Sequence, residues 1–385
     1  MKIAFQIACK NLMGAGLRTW LNVGVLSFVF VIIILFNGLI EGWSEQSIDQ
    51  SIEWEYASGH LLNEDYDPLD PFSIEDGHGN INDVSTAGLT PVLIRQATIY
   101  PQGRMKTILL KGIRSDQNTI KLPTQALDSS SAEIPAIIGV RTAEVANLTE
   151  GDQVLLRWRD KNGTFDAADI TIAEVFNTSV ASVDNGQIWI SIEKLWQMTD
   201  LKNEATYLIA DDSYSHQNVD GWRFEDQDAL LSEFRELIQI EKYSSSILYL
   251  VLLIIALIAI FDTQVLSIFR RQKEIGTYVA LGMTRVEVLR LFTVEGALYS
   301  VFGVIVGLIY GIPLFIWVNE VGISFPDYYQ DMGINMPSTI YPEFAVWLIA
   351  LTAVILIFSA TLVSLIPARK IVQMNPVNAL KGKIQ

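Results

Sequence analysis

Four long apolar stretches constrain this sequence more than any other feature. They cover residues 21–40, 243–261, 291–318 and 344–366, and Glu295 is the only charged residue within them. About 20 helical residues, each rising about 1.5 Å, cross the hydrocarbon core of a bilayer. The first stretch exceeds a signal-peptide core and is followed by no small-residue cleavage motif, so we expect it to remain as an anchor. The sequence therefore predicts a membrane α-helical protein with four transmembrane helices.

The basic residues indicate how these helices are oriented. Twelve of the 27 Lys and Arg residues lie in three short segments: before the first stretch, between the second and third, and after the fourth. Residues 319–343, between the third and fourth stretches, contain no Lys or Arg. Basic connections stay on the cytoplasmic side of a membrane. We therefore expect cytoplasmic N- and C-termini and a cytoplasmic connection between helices 2 and 3.

The region between the first two stretches carries the acidity of the chain. Residues 41–242 contain 35 Asp and Glu against 15 Lys and Arg, while the whole chain has a net charge of −16. Cys9 is the only cysteine, so no intrachain disulfide is expected here. Strand patterns at 92–100 and 105–113, and at 152–159 and 164–176, flank Pro/Gly turns, and the strand 187–191 leads into a helix at 192–198. A large extracytoplasmic mixed α/β domain is predicted between helices 1 and 2.

These patterns divide the chain into three parts. Residues 1–42 form an N-terminal interfacial helix and transmembrane helix 1, residues 43–242 the acidic domain, and residues 243–385 the remaining helices. The apolar spacing of residues 228–240 predicts a helix that continues into the second membrane span. The acidic domain should therefore be connected to the membrane by a stiff helix.

The connection between helices 2 and 3 reads RRQKEIGTYVALGMTR, residues 270–285. Its apolar residues recur at helical spacing, Gly282 is suited to end a helix, and Thr284 with Glu287 resembles a capping box that opens the next one. One interpretation is that the charges only fix topology and bind anionic head groups. The other is a surface helix that binds a cytoplasmic partner.

The third apolar stretch carries a row of small residues and one acid. Gly303, Gly307 and Gly311 repeat every four residues and Gly296 falls on the same face, which predicts close packing against a helix of this subunit or of a second permease subunit. Glu295 is costly in mid-membrane, so it should lie near the cytoplasmic interface or have a partner. We expect the interface and a structural role.

Motifs for other chemistry are weak. Asp65, Asp67 and Asp70 are closely spaced, but an EF-hand requires glycine where Pro68 falls. His60, His78 and His216 lack zinc-ligand spacing. No nucleophile motif and no GxxxxGK[ST] phosphate-binding loop occurs. We therefore predict no catalytic residue, no metal site, no cofactor bound by this chain and no nucleic-acid partner.

Several segments resemble the FtsX-like permeases of ABC transporters, in particular the lipoprotein-releasing (LolC/LolE-like) group, which is related to the macrolide-exporter (MacB-like) permeases. The likeness lies in the start KNLMGAGLRTWL, the end PARKIVQMNPVNAL, the acidic domain's LKGIRSD and AIIGVRTAEVANLTEGDQV, and Glu295. It is most specific in the connection between helices 2 and 3, through Arg270, Arg271, Lys273, Glu274, Ile275, Gly276, Ala280, Leu281, Gly282, Thr284 and Arg285.

The resemblance implies a mechanical function in a bacterial inner membrane, with the acidic domain as a periplasmic core domain. The connection between helices 2 and 3 would be a coupling helix that binds a cytoplasmic ABC ATPase dimer, which supplies the ATP and Mg²⁺ sites. A second permease subunit, identical or paralogous, completes the assembly. The expected function is extraction of lipoproteins from the membrane, together with a periplasmic lipoprotein carrier. The alternatives are an exporter of peptides or hydrophobic compounds and a cell-envelope regulator without transport.

A lipoprotein substrate requires an apolar surface within the membrane. Acyl chains bind through buried CH₂ groups, and the first two apolar stretches present long uncharged faces. On the first stretch Val29 and Ile33 belong to the expected face. The residues expected to contact acyl chains most directly are Phe28, Ile32, Phe36, Leu248, Leu252 and Ile255.

Overall fold

A computed structural model describes residues 17–82, 84, 87–216, 218–325 and 337–373. The predicted interfacial helix at the start of the chain lies outside these residues, and so do Asn375, Pro376 and the residues after them in the closing motif. The chain separates into two units. The sheet unit comprises residues 44–237 with the described part of 324–339, and the helical unit comprises the rest.

The helices and strands are numbered in chain order. The helices are α1 Leu17–Ser51, α2 Ala126–Ser129, α3 Val140–Ala146, α4 Ala181–Asp184, α5 Ile192–Thr199, α6 Gln227–Leu230, α7 Ser232–Arg270, α8 Gln272–Ala280, α9 Arg285–Val321 and α10 Val346–Gln373. The strands are β1 Gly59–Asn63, β2 Gly79–Asn80, β3 Leu89–Ile99, β4 Lys106–Ile113, β5 Pro135–Gly139, β6 Gln153–Arg159, β7 Phe165–Phe176, β8 Gln187–Ser191, β9 Glu204–Ala205, β10 Tyr207–Ala210, β11 Trp222–Asp226, β12 Ile323–Ser324 and β13 Thr339–Ile340.

The helical unit contains the four apolar stretches. Helices α1, α7, α9 and α10 are each long and apolar enough to cross a membrane. Their shared core forms around α1, where Leu26, Phe30 and Ile34 are buried against Ile260 of α7 and Leu298 of α9. The predicted fold class, four membrane helices with a mixed α/β domain between the first and second, is confirmed.

The sheet unit is built on a nine-stranded mixed sheet. Its strand order is β11-β1-β10-β3-β4-β8-β5-β7-β6, and β3 also pairs with β6, which joins the last strand back to the middle of the sheet. The pairs β4–β8 and β5–β7 are parallel, and the other neighbours are antiparallel. One core cluster contains Leu93, Leu110 and Ile188, and a second contains Ile137 and Trp189.

The strand predictions in the acidic domain are confirmed. The antiparallel pair β3–β4 turns through Pro101–Gly103, where Gly103 has a φ of 78° that favours glycine. The pair β6–β7 turns at Gly163, which also has a φ of 78°. The acidic loop before β2 forms turns in which Asp67 and Asp70 accept hydrogen bonds from backbone N–H groups. These carboxylates therefore support local backbone structure.

A buried cluster of ionisable side chains lies where β1 follows the π-helix Ile52–Tyr56. The His60 ring lies 4.7 Å from the Tyr207 ring, and its Nε2 is 2.9 Å from the carbonyl oxygen of Glu55. Burial lowers the pKa of His60 to about 4, and the nearby Lys111 charge acts in the same direction. Burial also lowers the pKa of Lys111 to about 8, against the opposing effect of the Glu55 carboxylate. His60 is therefore neutral at pH 7.

We expect the contribution of His60 to the stability of the sheet unit to be lost as the pH falls from 6.5 to about 4, because His60 binds a proton more readily in the unfolded chain than in the folded one. The contribution is fully present above pH 6.5 and amounts to about 3 kcal/mol over this window. The measurement is the melting temperature of the whole protein in detergent at pH 7.5 and pH 5, followed by tryptophan fluorescence.

The variant His60→Gln should show a smaller difference in melting temperature between these two pH values. His216 is exposed, so His216→Gln is the matched control and should keep the full difference. An unchanged pH dependence in His60→Gln would show that His60 does not titrate as this burial requires.

Candidate functional site

The connection between α7 and α9 is an ordered helix with defined ends. Helix α7 ends at Arg270, and Arg271 has a φ of −103° and a ψ of 20°, so the backbone leaves helical geometry before α8. After α8, the N–H of Gly282 donates to the carbonyl of Val279 and the N–H of Met283 to that of Tyr278. This is a Schellman motif, and Gly282 has the required positive φ of 101°. The predicted helix and its glycine end are confirmed.

The start of α9 has the predicted capping box. Thr284 Oγ1 accepts a hydrogen bond from the N–H of Glu287, and a Glu287 carboxylate oxygen accepts one from the N–H of Thr284 at 2.8 Å. Both ends of the turn between α8 and α9 are therefore fixed by local hydrogen bonds. The segment 281–284 holds α8 at a defined angle to α9.

One face of α8 packs on the helical unit. Ile275 and Gly276 are buried, and Ile275 belongs to an apolar cluster with Val288 and Phe292 of α9 and Ala368 of α10. The small Gly276 adjoins this contact, so the helix backbone itself is covered. The apolar residues that recur at helical spacing in α8 therefore pack this helix against the helical unit.

An ion pair connects the start of α8 to α9. Arg271 Nη1 donates to both Glu295 carboxylate oxygens, at 3.1 and 2.9 Å, and Arg271 Nε donates to Glu274 Oε2 at 2.7 Å. The Arg271 guanidinium also lies 4.9 Å from the centre of the buried Phe292 ring. Glu295 is buried and has a charged partner, as one of the two expectations for this acid requires, and its position near the membrane interface stays a prediction.

The opposite side of the connection is exposed. Leu281 is 80% exposed, an unusual value for a leucine, and Val286 is half exposed. The other exposed members of the predicted coupling set surround them: Arg270, Lys273, Glu274, Ala280, Gly282, Thr284 and Arg285. Arg271, Ile275 and Gly276 are not on this surface, because they pack against the helical unit. Sequence reasoning missed Val286 and Phe292, although Phe292 lies one helical turn before Glu295.

The glycine row of α9 packs mainly on α1. A Cβ at Gly303 would lie 2.8 Å from Leu26 Cβ, and one at Gly307 would lie 2.8 Å from a Phe30 ring carbon. Gly311 is similarly close to Val31 of α1. Gly296 instead faces Ser364 of α10 and Gln264 of α7. These glycines contact helices of the same subunit, and contact with a second permease subunit stays a prediction.

The predicted substrate surface is only partly exposed. Phe28 and Phe36 of α1 and Leu248 and Ile255 of α7 are exposed. Ile32 and Leu252 are half-buried, and Leu252 packs against the helical core. The expectation was wrong for Val29 and Ile33, which are buried because the same helix also supplies the core of the unit.

The C-terminal part of the chain matches a known family. Residues 246–376 match the model of the FtsX-like permease C-terminal domain, and this range contains α8, Glu295 and the glycine row. Residues 246–376 therefore resemble the C-terminal domain of an FtsX-like permease. The resemblance inferred from the sequence motifs is confirmed.

Two curated relatives extend this comparison. An uncharacterised ABC transporter permease of Methanocaldococcus jannaschii is 30% identical over 132 residues, which are 34% of this chain and 30% of the archaeal protein. The lipoprotein-releasing system transmembrane protein LolC of Neisseria meningitidis serogroup B is 22% identical in an alignment of 327 residues that covers 76% of this chain and 77% of that protein. The second match is long enough to include most of the sheet unit.

Proposed function

We propose that this chain is the permease subunit of an ABC transporter that extracts lipoproteins from the cytoplasmic membrane, using an ATPase subunit supplied as a separate chain. The proposal that the chain works with a separate ATPase subunit rests on helix α8. One face of α8 packs on the helical unit, and the other side of the connection between α7 and α9 is exposed. A helix held in this way can transmit force from a bound partner. The similarity to LolC over 76% of the chain supports the substrate class.

The surface around α8 has the features of a protein-binding site. Leu281 and Val286 are exposed apolar residues, and Lys273 and Arg285 place positive charge beside them. An apolar centre surrounded by a polar rim is the usual anatomy of a protein–protein interface. We propose that this surface, called the docking surface below, binds the ATPase, with Leu281 as its apolar anchor. By the distribution of basic residues it faces the cytoplasm.

The exposed apolar residues of α1 and α7 fit an acylated substrate. Phe28, Phe36, Leu248 and Ile255 are exposed in a part of the chain that would lie within the bilayer. An acyl chain that left the bilayer for water would lose about 0.8 kcal/mol per CH₂, so extraction requires an apolar surface of this kind to replace the lipid. These four residues therefore form the acyl-chain surface in this proposal.

Photocrosslinking tests the substrate. In proteoliposomes that contain the permease, the ATPase subunit that co-purifies with it and a triacylated lipoprotein, a photoreactive residue at Phe36 or Ile255 should capture the lipoprotein. The matched control positions are Ile34 and Ile260, which lie on the same helices but are buried, and they should capture none.

The outcome also separates the alternative functions. Crosslinks to non-acylated peptides or drugs, with lipoproteins retained in the membrane during ATP turnover, would replace lipoprotein release by the exporter function. An absence of any ATP-dependent crosslink at Phe36 and Ile255 would favour a regulator without transport.

A further inference from the structure

We infer that Glu295 receives the movement of α8, and that the buried Arg271–Glu295 ion pair transmits this movement to α9. The inference rests on the proposed function in one respect, that the ATPase binds the docking surface. Glu295 and Arg271 act here as positioning residues, because neither is expected to touch nucleotide or substrate.

The geometry around Arg271 distinguishes its two acidic partners. Glu274 lies on α8 itself, three residues along, and its side chain is 55% exposed. Glu295 lies on α9, and its side chain is 4% exposed. The pair with Glu274 is local and open to water, whereas the pair with Glu295 joins two different helices away from water. Ion pairs in water are weakened by screening, so the pair with Glu295 is the stronger mechanical link.

The backbone at Arg271 explains why a side-chain link is needed. The helical geometry of α7 is interrupted at this residue, so α8 is not a rigid continuation of α7. The apolar contacts of Ile275 with Val288 and Phe292 hold α8 on the bundle, but such contacts are not directional. Two hydrogen bonds from one guanidinium nitrogen to both carboxylate oxygens are directional. A displacement of α8 therefore reaches α9 at Glu295.

Helix α9 is in turn tightly packed on its neighbours. The next residue, Gly296, leaves no space for a side chain beside Ser364 of α10. Two turns further on, a Cβ at Gly303 would lie 2.8 Å from Leu26 Cβ of α1. Because these contacts are between backbone and short side-chain atoms, α9 cannot shift at Glu295 without moving α10 or α1. Helix α1 carries Phe28 and Phe36, so the link ends at the proposed acyl-chain surface.

The first arm of the test uses the full permease in detergent without ATPase. Hydrogen exchange of the α8 amides should become about tenfold faster in Glu295→Gln, because the neutral amide loses the ion pair and one of the two acceptor oxygens that link α8 to α9. In Glu274→Gln the rate of hydrogen exchange of the α8 amides should change much less. Equal exchange in the wild type and in Glu295→Gln would overturn the inference, whatever the chain transports.

The second arm uses proteoliposomes that contain the co-purifying ATPase subunit and a fluorescently labelled triacylated lipoprotein. In Glu295→Gln we expect ATP hydrolysis to continue while lipoprotein released per ATP falls about tenfold. The control Glu41→Gln removes an exposed ion pair between α1 and Lys242 of α7 and should keep the wild-type ratio. Exchanging the charges, in Arg271→Glu combined with Glu295→Arg, should restore part of the lost ratio.

These results separate the inference from the proposed function. If the wild-type assembly hydrolyses ATP but releases no lipoprotein, the proposed substrate is wrong. The hydrogen exchange of the α8 amides in Glu295→Gln still shows whether the ion pair links α8 to α9. If Glu295→Gln releases as much lipoprotein per ATP as the wild type, the ion pair does not transmit movement and the inference fails.

Discussion

Replacing Leu281 by aspartate should weaken binding of the ATPase subunit by at least about thirtyfold while the permease stays folded. Leu281 is 80% exposed at the end of α8, so the free permease loses almost no packing in this variant. In the assembly the same side chain would be buried in the partner, where a carboxylate is strongly unfavourable. The measurement is the affinity of the purified ATPase subunit for the permease in nanodiscs, with the melting temperature as a check on folding.

A second exposed leucine provides the control for this experiment. Leu69 is 78% exposed in the sheet unit, so Leu69→Asp makes the same chemical change on a different surface. It should leave ATPase affinity unchanged. We also expect the permease alone to hydrolyse no ATP and the wild-type assembly to do so. Equal affinities for Leu281→Asp and the wild type would return the segment 270–285 to the simpler interpretation, in which its charges only fix topology and bind lipid head groups.

Replacing Gly303 by valine should destabilise the helical unit by about 2–3 kcal/mol and impair substrate release. The new Cβ would lie 2.8 Å from Leu26 Cβ, an atom next to the α1 backbone that cannot rotate away. Helices α9 and α1 must therefore separate, and the adjacent contact between Gly307 and Phe30 opens as well. Unfolding by SDS in mixed micelles measures the change in stability.

Gly24 provides the matched control within α1. A Cβ at Gly24 would meet no heavy atom of the described residues within 4 Å, so Gly24→Val should unfold like the wild type. The same pair of variants tests whether the glycine face also binds a second subunit. A change in oligomeric state in Gly303→Val without a change in unfolding would show that the face packs between subunits, contrary to the packing on α1 described here.

The sequence was most informative where one local pattern has one physical outcome. An uncharged run as long as residues 344–366 can span a membrane, and a single segment that does so must be a helix because its backbone groups have no other hydrogen-bond partners there. The glycine end of α8 and the capping box at Thr284 depend on residues within one turn of each other. Hairpins such as β3–β4 depend on a short turn and on alternating side chains. In all these cases the interacting groups are neighbours in the chain.

The sequence was less informative where one helix has two kinds of apolar neighbour. Val29 and Phe28 are adjacent and both apolar, yet Val29 is buried in the core and Phe28 is exposed. Hydropathy does not distinguish a side chain that faces lipid from one that faces another helix, because both surroundings are apolar. The packing of α1 within the helical unit decides which of its residues remain exposed.

By itself, the sequence determined four helices long and apolar enough to span a membrane, the acidic mixed α/β domain, the resemblance to FtsX-like permeases and the position of the helix between α7 and α9. Tertiary structure alone decided the ion pair of Arg271 and Glu295, which are separated by 24 residues and meet only because α8 folds back against α9. It also decided that Leu281 is exposed while Ile275 is buried on the same short segment. The physical reason is that local hydrogen bonds and hydropathy fix helices, whereas burial and ion pairing depend on which helices pack together.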